Sequence, residues 1–105
     1  MSPLVIQNEI LDISRQLTGI YGAEKVILFG SAASNPQVAN DLDFLIIKTD
    51  VPVSGLDRMR QVRNMIKKTV AADFIILTPG ELEDRVRLGD PFILQITNFG
   101  KTLYG

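Results

Sequence analysis

A small mixed α/β domain, with a sheet of three to four strands flanked by helices, is the fold class this sequence predicts. Three observations predict it. The chain of 105 residues has 46% hydrophobic content and a net charge of −1, which fits one core in a single domain spanning 1–105. Three short, continuously apolar runs have the length of strands covered on both faces. Amphipathic stretches with a period near 3.6 lie before, between and after them.

The first stretch sets Ile6, Ile10, Ile13, Leu17 and Ile20 on one helical face, with Asn8, Glu9, Asp12 and Arg15 opposite. Gly19 and Gly22 mark its end. Val26 to Phe29 reads as a buried strand closed by Gly30, and a helical turn is expected after Ser31. Leu42 to Ile47 and Ala72 to Leu77 are the other two central strands. Between them, Leu56, Met59, Val62 or Arg63, Ile66 and Val70 follow a helical stripe. Thr78, Pro79 and Glu81 supply an N-cap, a first-turn proline and a capping-box glutamate. Asp90-Pro91 opens a last helix with Phe92, Ile93 and Ile96 inward; Gly100 stops it, and Lys101 to Tyr104 forms a short edge strand.

Connection lengths give strand directions. About ten residues join Phe29 to Leu42, whereas a parallel crossover needs roughly a dozen or more, so these strands are expected to be antiparallel. Lys48 to Ala71 holds a helix, so the third strand is expected to run parallel to the second. Gly30-Ser31 then leaves the first strand where Asp41 and Asp43 enter the second, and Asp73 falls at the same end.

Asp41 and Asp43 are two residues apart on a strand and share a face. Two carboxylates about 4 Å apart repel by roughly 4 kcal/mol at an effective dielectric near 20. A divalent cation relieves that repulsion, and oxygen ligands favour Mg²⁺ or Mn²⁺. A glycine admits a phosphate close to the backbone, and Ser31 offers an N–H and a hydroxyl. The chain has no cysteine and no histidine, which excludes disulfides, thiol catalysis, zinc–thiolate sites and an imidazole base. The charge balance gives no global basic excess for broad nucleic-acid binding. The apolar runs are too short to span a membrane and no secretory leader is visible, so a cytoplasmic setting is expected.

The motifs "FGS" at 29–31, "NDLDFLII" at 40–47, "ADFIILTPGEL" at 72–82 and "GKTLYG" at 100–105 resemble the minimal nucleotidyltransferases of the DNA-polymerase-β-like superfamily. The resemblance covers nearly the whole chain. It implies Asp41, Asp43 and Asp73 as catalytic metal ligands and Gly30 and Ser31 as nucleotide contacts. It also implies transfer of a nucleoside monophosphate, AMP from ATP above all, to a hydroxyl on another macromolecule. Many such chains act beside a helical HEPN-type partner, often as the antitoxin of a toxin–antitoxin pair, and the acceptor surface is expected from such a partner or from a second copy. Ala32-Ala33-Ser34-Asn35 carries neither the arginine nor the closing glycine that many relatives have after Gly-Ser, and Asn40 stands where serine is common. That loop favours a rival expectation, a catalytically weak antitoxin or scaffold acting by occlusion. A small-molecule nucleotidyltransferase is a third reading, disfavoured because such enzymes use more chain to build a pocket. Arg58, Arg60, Arg63, Lys67 and Lys68 are expected to form a solvated basic surface, and Phe99 and Tyr104 to serve packing.

Overall fold

The computed structural model describes residues 2–36, 39 and 41–105, with Pro3 described by its backbone alone. Ser2 caps helix α1 (Pro3–Gln16) by accepting from the Val5 N–H, and the helix runs into a π-helical turn at Leu17–Tyr21. Strand β1 (Lys25–Phe29), the short helix α2 (Ser31–Ser34), β2 (Asp41–Ile47), α3 (Gly55–Met65) and β3 (Ala71–Leu77) follow. Helices α4 (Pro79–Arg87) and α5 (Pro91–Phe99) lead to β4 (Lys101–Tyr104). The sheet order is β3-β2-β1-β4. β1 pairs antiparallel with β2 and with β4, while β2 and β3 are parallel, as the connection lengths require.

The two-residue period of the strands sorts the core into two layers. Val26, Leu28, Leu42, Phe44, Ile46 and Phe74 face α1, the π turn and α3, and the Phe44 and Phe74 rings stack with centroids 5.8 Å apart. Ile27, Leu45, Ile47 and Leu77 face the other way, onto Ile93 and Ile96 of α5. Both sheet faces are therefore covered, which is why the strands read as continuous apolar runs.

Several expectations are corrected. Leu17 is buried as expected, but Ile20 is 59% exposed and Tyr21 is buried instead. A π turn holds more residues than an α turn and so rotates the apolar face by about one position. Gly22, at φ 86°, ends the segment, and Gly19 lies inside it. On α3 the buried line is Arg58, Val62 and, just past the helix, Ile66; Leu56 is exposed and Met59 only half-buried.

Arg58 is thus not part of a solvated basic surface. Its Nε donates to the Pro52 carbonyl at 2.6 Å, and its Nη1 donates to the Ile76 carbonyl at 3.1 Å and to Glu81 at 2.6 Å. Glu81 also completes the capping box of α4. The guanidinium hydrogen bonds, followed by the Thr78 backbone N–H, hold the Glu81 carboxyl down at about 2. Arg60, Arg63, Lys67 and Lys68 do remain exposed.

In α5, Ile93 and Ile96 are buried as expected. Phe92 is 48% exposed, its ring set edge-on to Phe29 with centroids 5.7 Å apart. Phe99 is 80% exposed and so does not serve packing; Tyr104 is half-exposed. Gly100 ends α5 for a steric reason. A Cβ there would meet Ile27 Cγ2 at 2.6 Å, because the chain turns onto β1 at that point.

Candidate active site

The faces set by the strand period decide where the carboxylates go. Odd-numbered positions of β2 and β3 project toward α5, so Asp41, Asp43 and Asp73 continue the face that Leu45, Ile47 and Leu77 begin. They lie past the part of the sheet that α5 covers: Asp41 and Asp73 are exposed and Asp43 is half-buried. Asp43 stands in register with Asp73 on one side and with Phe29 on the other. The last residue of β1, the second aspartate of the Asp-x-Asp and the third aspartate therefore form one row across three strands.

The carboxylates act on one another. Burial pushes the Asp43 carboxyl above its ordinary value, and the negative charges of Asp41 and Asp73 push it further in the same direction. Asp73 has a counter-charge: Arg63 Nη2 on α3 donates to Asp73 Oδ1 at 3.4 Å. That contact was not legible in the sequence, because it joins an exposed helix residue to a strand residue across the crossover.

Gly30 is bound to the same carboxylate by geometry. It adopts φ 74°, ψ −154°, a region that residues with a Cβ avoid. A Cβ built there would stand 2.6 Å from Asp43 Oδ2. The glycine thus serves twice: it turns the chain from β1 into α2, and it leaves room for the Asp43 carboxylate against the backbone. Ser31 opens α2 with its side chain exposed, and no side-chain hydrogen bond caps this helix. The reading of Asn40 lies outside the described residues.

Gly30→Ala is expected to destabilise the fold by about 1–3 kcal/mol, the cost of placing an L-residue in that backbone region, and to displace the Asp43 carboxylate as well. Urea unfolding reads the first effect. Unchanged stability would contradict the contact between Gly30 and Asp43.

The expected constellation is therefore assembled: Gly30, Ser31, Asp41, Asp43 and Asp73 meet at one end of the sheet. What is absent is a closed cage. Among the described residues no group of three acidic side chains converges tightly enough to hold a metal ion by itself. Among these residues the aspartates instead form an open row, with Asp41 and Asp73 exposed. Such a donor set suits a cation that takes one or two carboxylates and completes its shell with phosphate oxygens and water.

No protein-family profile matches the chain, and no curated protein matches it. Among solved structures it is similar to a crystal structure of a candidate nucleotidyltransferase from Sulfolobus solfataricus, with 26% sequence identity and a TM-score of 0.57. The match covers 81% of this chain and 80% of that one. The mixed four-stranded sheet with its flanking helices is a nucleotidyltransferase fold.

Proposed function

We propose that the protein is a metal-dependent nucleotidyltransferase that moves a nucleoside monophosphate, AMP from ATP in the simplest case, to a hydroxyl of a partner macromolecule. The observation that carries this reading is the row formed by Asp43 and Asp73, with the Asp43 carboxylate seated on Gly30, in a fold shared with a candidate nucleotidyltransferase. Burial first, and the charges of Asp41 and Asp73 after it, raise the proton affinity of Asp43, and a cation would relieve the repulsive part.

In this reading Asp41, Asp43 and Asp73 hold Mg²⁺ or Mn²⁺ together with the triphosphate. When bound, such an ion neutralises phosphate charge and lowers the pKa of a coordinated hydroxyl. Gly30 gives the phosphates access to the backbone, and Ser31 donates from its N–H and hydroxyl. The acceptor oxygen forms a bond to the α-phosphorus while the bond from that phosphorus to the β-bridging oxygen breaks. Pyrophosphate leaves, and the hydroxyl proton passes to a site carboxylate. In the apo state Arg63 neutralises part of the charge on Asp73.

Among the described residues one side of the row has no wall, and orienting an acceptor there is worth several kcal/mol. We assign that wall to a helical HEPN-type partner, contacting the Asp41–Asp43 edge and the loop at 32–40, part of which lies outside the described residues. The acceptor is then a hydroxyl of the partner, a tyrosine by the resemblance, and the protein serves as the antitoxin of such a pair in a cytoplasmic setting. No described helix is long and apolar enough to cross a membrane.

A second reading is favoured by one feature. Residues 32–35, the rest of α2 after Ser31 and its C-cap, carry no basic side chain, so this loop lacks a cation for the phosphates. An occluding antitoxin with weak or no transfer would tolerate that loss.

The test is transfer of label from α-³²P-ATP with Mg²⁺, with and without the helical protein encoded beside this chain. Label on the partner that a chelator abolishes is the expected result. A tight complex that is never labelled would select the occluding reading, and no labelling of any acceptor together with no complex would remove both.

A further inference from the structure

The carboxylate row borders a groove to which no role has been assigned. It encloses about 310 Å³ between α2 and α5, on the sheet face that carries the aspartates. Phe29, Gly30, Ser34, Phe92, Gln95 and Phe99 supply most of its wall. We propose that this groove is a nucleobase subsite, in which a base stacks on Phe99 and Phe92 while its phosphates extend past Gly30 to Asp43. The proposal rests on the nucleotidyl-transfer reading and deepens it.

Three features point to a flat, uncharged occupant. Among the described residues no Lys, Arg, Asp or Glu lines the groove, so no charged side chain there would hold a phosphate, a cation or a charged group. Its aromatic walls are unusually open, with Phe99 80% and Phe92 48% exposed, while Ile93 and Ile96 on the same helix are buried. Phenylalanine rings left to water on one helix are not explained by the core, and a planar heteroaromatic ring would cover them. The amide of Gln95 offers a donor and an acceptor to a base edge beside those rings.

Continuity with the aspartates identifies the ring as part of the same ligand. Gly30 lines the groove and has Asp43 Oδ2 in the space that a Cβ there would need, and Phe29 is the register partner of Asp43. A second cavity, about 240 Å³ and lined by Gln7, Leu11 and Lys101, lies on the α1 side. The sheet separates it from the carboxylates, so it is no rival for the base.

Titration calorimetry in Mg²⁺ with ATP and with inorganic tripolyphosphate separates the base from the phosphates. Phe99 is exposed, so Phe99→Ala leaves the core intact. The wild type is expected to bind ATP more tightly than tripolyphosphate. Phe99→Ala is expected to weaken ATP binding about 5- to 150-fold, the range for losing one base–aromatic stack, and to leave tripolyphosphate binding unchanged. ATP and tripolyphosphate binding equally well to the wild type would overturn the subsite alone. So would ATP binding that is indifferent to Phe99→Ala, including the case where the variant instead loses its helical partner, and so would equal weakening of both ligands. A wild type that binds neither ligand would remove the nucleotidyl-transfer reading itself, and the subsite with it.

Discussion

Asp43→Asn is expected to lower nucleotidyl transfer roughly a thousandfold or more while leaving the fold intact. The size follows from the several kcal/mol that a correctly held metal ion contributes to a phosphoryl transition state, at a factor of ten per 1.4 kcal/mol. Asp43 is the carboxylate on which the site turns. It lies in register with Asp73, feels the charge of both neighbours and is the one seated on Gly30. An asparagine keeps the shape and removes the charge. Its burial carries less desolvation cost, and the repulsion from Asp41 and Asp73 ends. The apo variant should therefore melt at or above the wild-type temperature. Single-turnover transfer and thermal melting on the same preparation check both halves. Transfer at the wild-type rate would remove Asp43 from the mechanism, and a melting temperature well below wild type would show that the carboxylate supports the fold.

Arg58→Met is expected to have the largest effect on stability, a loss of about 2–4 kcal/mol. The Arg58 side chain is 8% exposed and its guanidinium ties three places together: the Pro52 carbonyl before α3, the Ile76 carbonyl in β3, and Glu81 at the start of α4. Methionine fills similar space but leaves two carbonyls without that donor. Glu81 is 43% exposed and keeps access to water, so its share of the loss is screened and the estimate stays below that for a fully buried pair. For a domain of this size the melting temperature should fall by roughly 10–30 °C.

The acid dependence gives a second check. Glu81 ionises at about 2 in the fold against an ordinary 4.5, so its pairing contributes stability above pH 4.5 that is lost as the pH falls toward 2. The gap between wild type and Arg58→Met should narrow across that window. A gap that stays constant would mean that the carbonyl bonds, not the ion pair, carry the effect. No gap at neutral pH would mean that Arg58 is not structural.

Much of this arrangement is written locally. The apolar runs at 26–29, 42–47 and 72–77 define strands because each is short, continuous and bounded by turn residues, and connection length alone sets their directions. Once β2 and β3 are parallel and in register, the spacing of Asp41 and Asp43 places both on one face, and Asp73 joins them without further information. Thr78, Pro79 and Glu81 specify the start of α4 in the same local way.

Other features depend on atoms brought together from distant parts of the chain. Periodicity places Ile20 inward, but the π turn that follows α1 leaves it exposed. Composition marks Arg58 as a surface charge, whereas two backbone carbonyls and Glu81 make a buried position tolerable for it. Arg63 and Asp73 meet because the crossover folds α3 back beside β3. Gly30 can be read as a turn residue, but only the packed structure shows a carboxylate occupying the space a side chain would need. The aromatic groove has the same origin: Phe29, Phe92 and Phe99 are scattered in the chain and become one surface only when α5 lies across β1. Strand identity and facing follow from short-range periodicity, so the sequence alone determines them; charge pairing, close approach and cavities are properties of distance between remote residues, which only the tertiary structure decides.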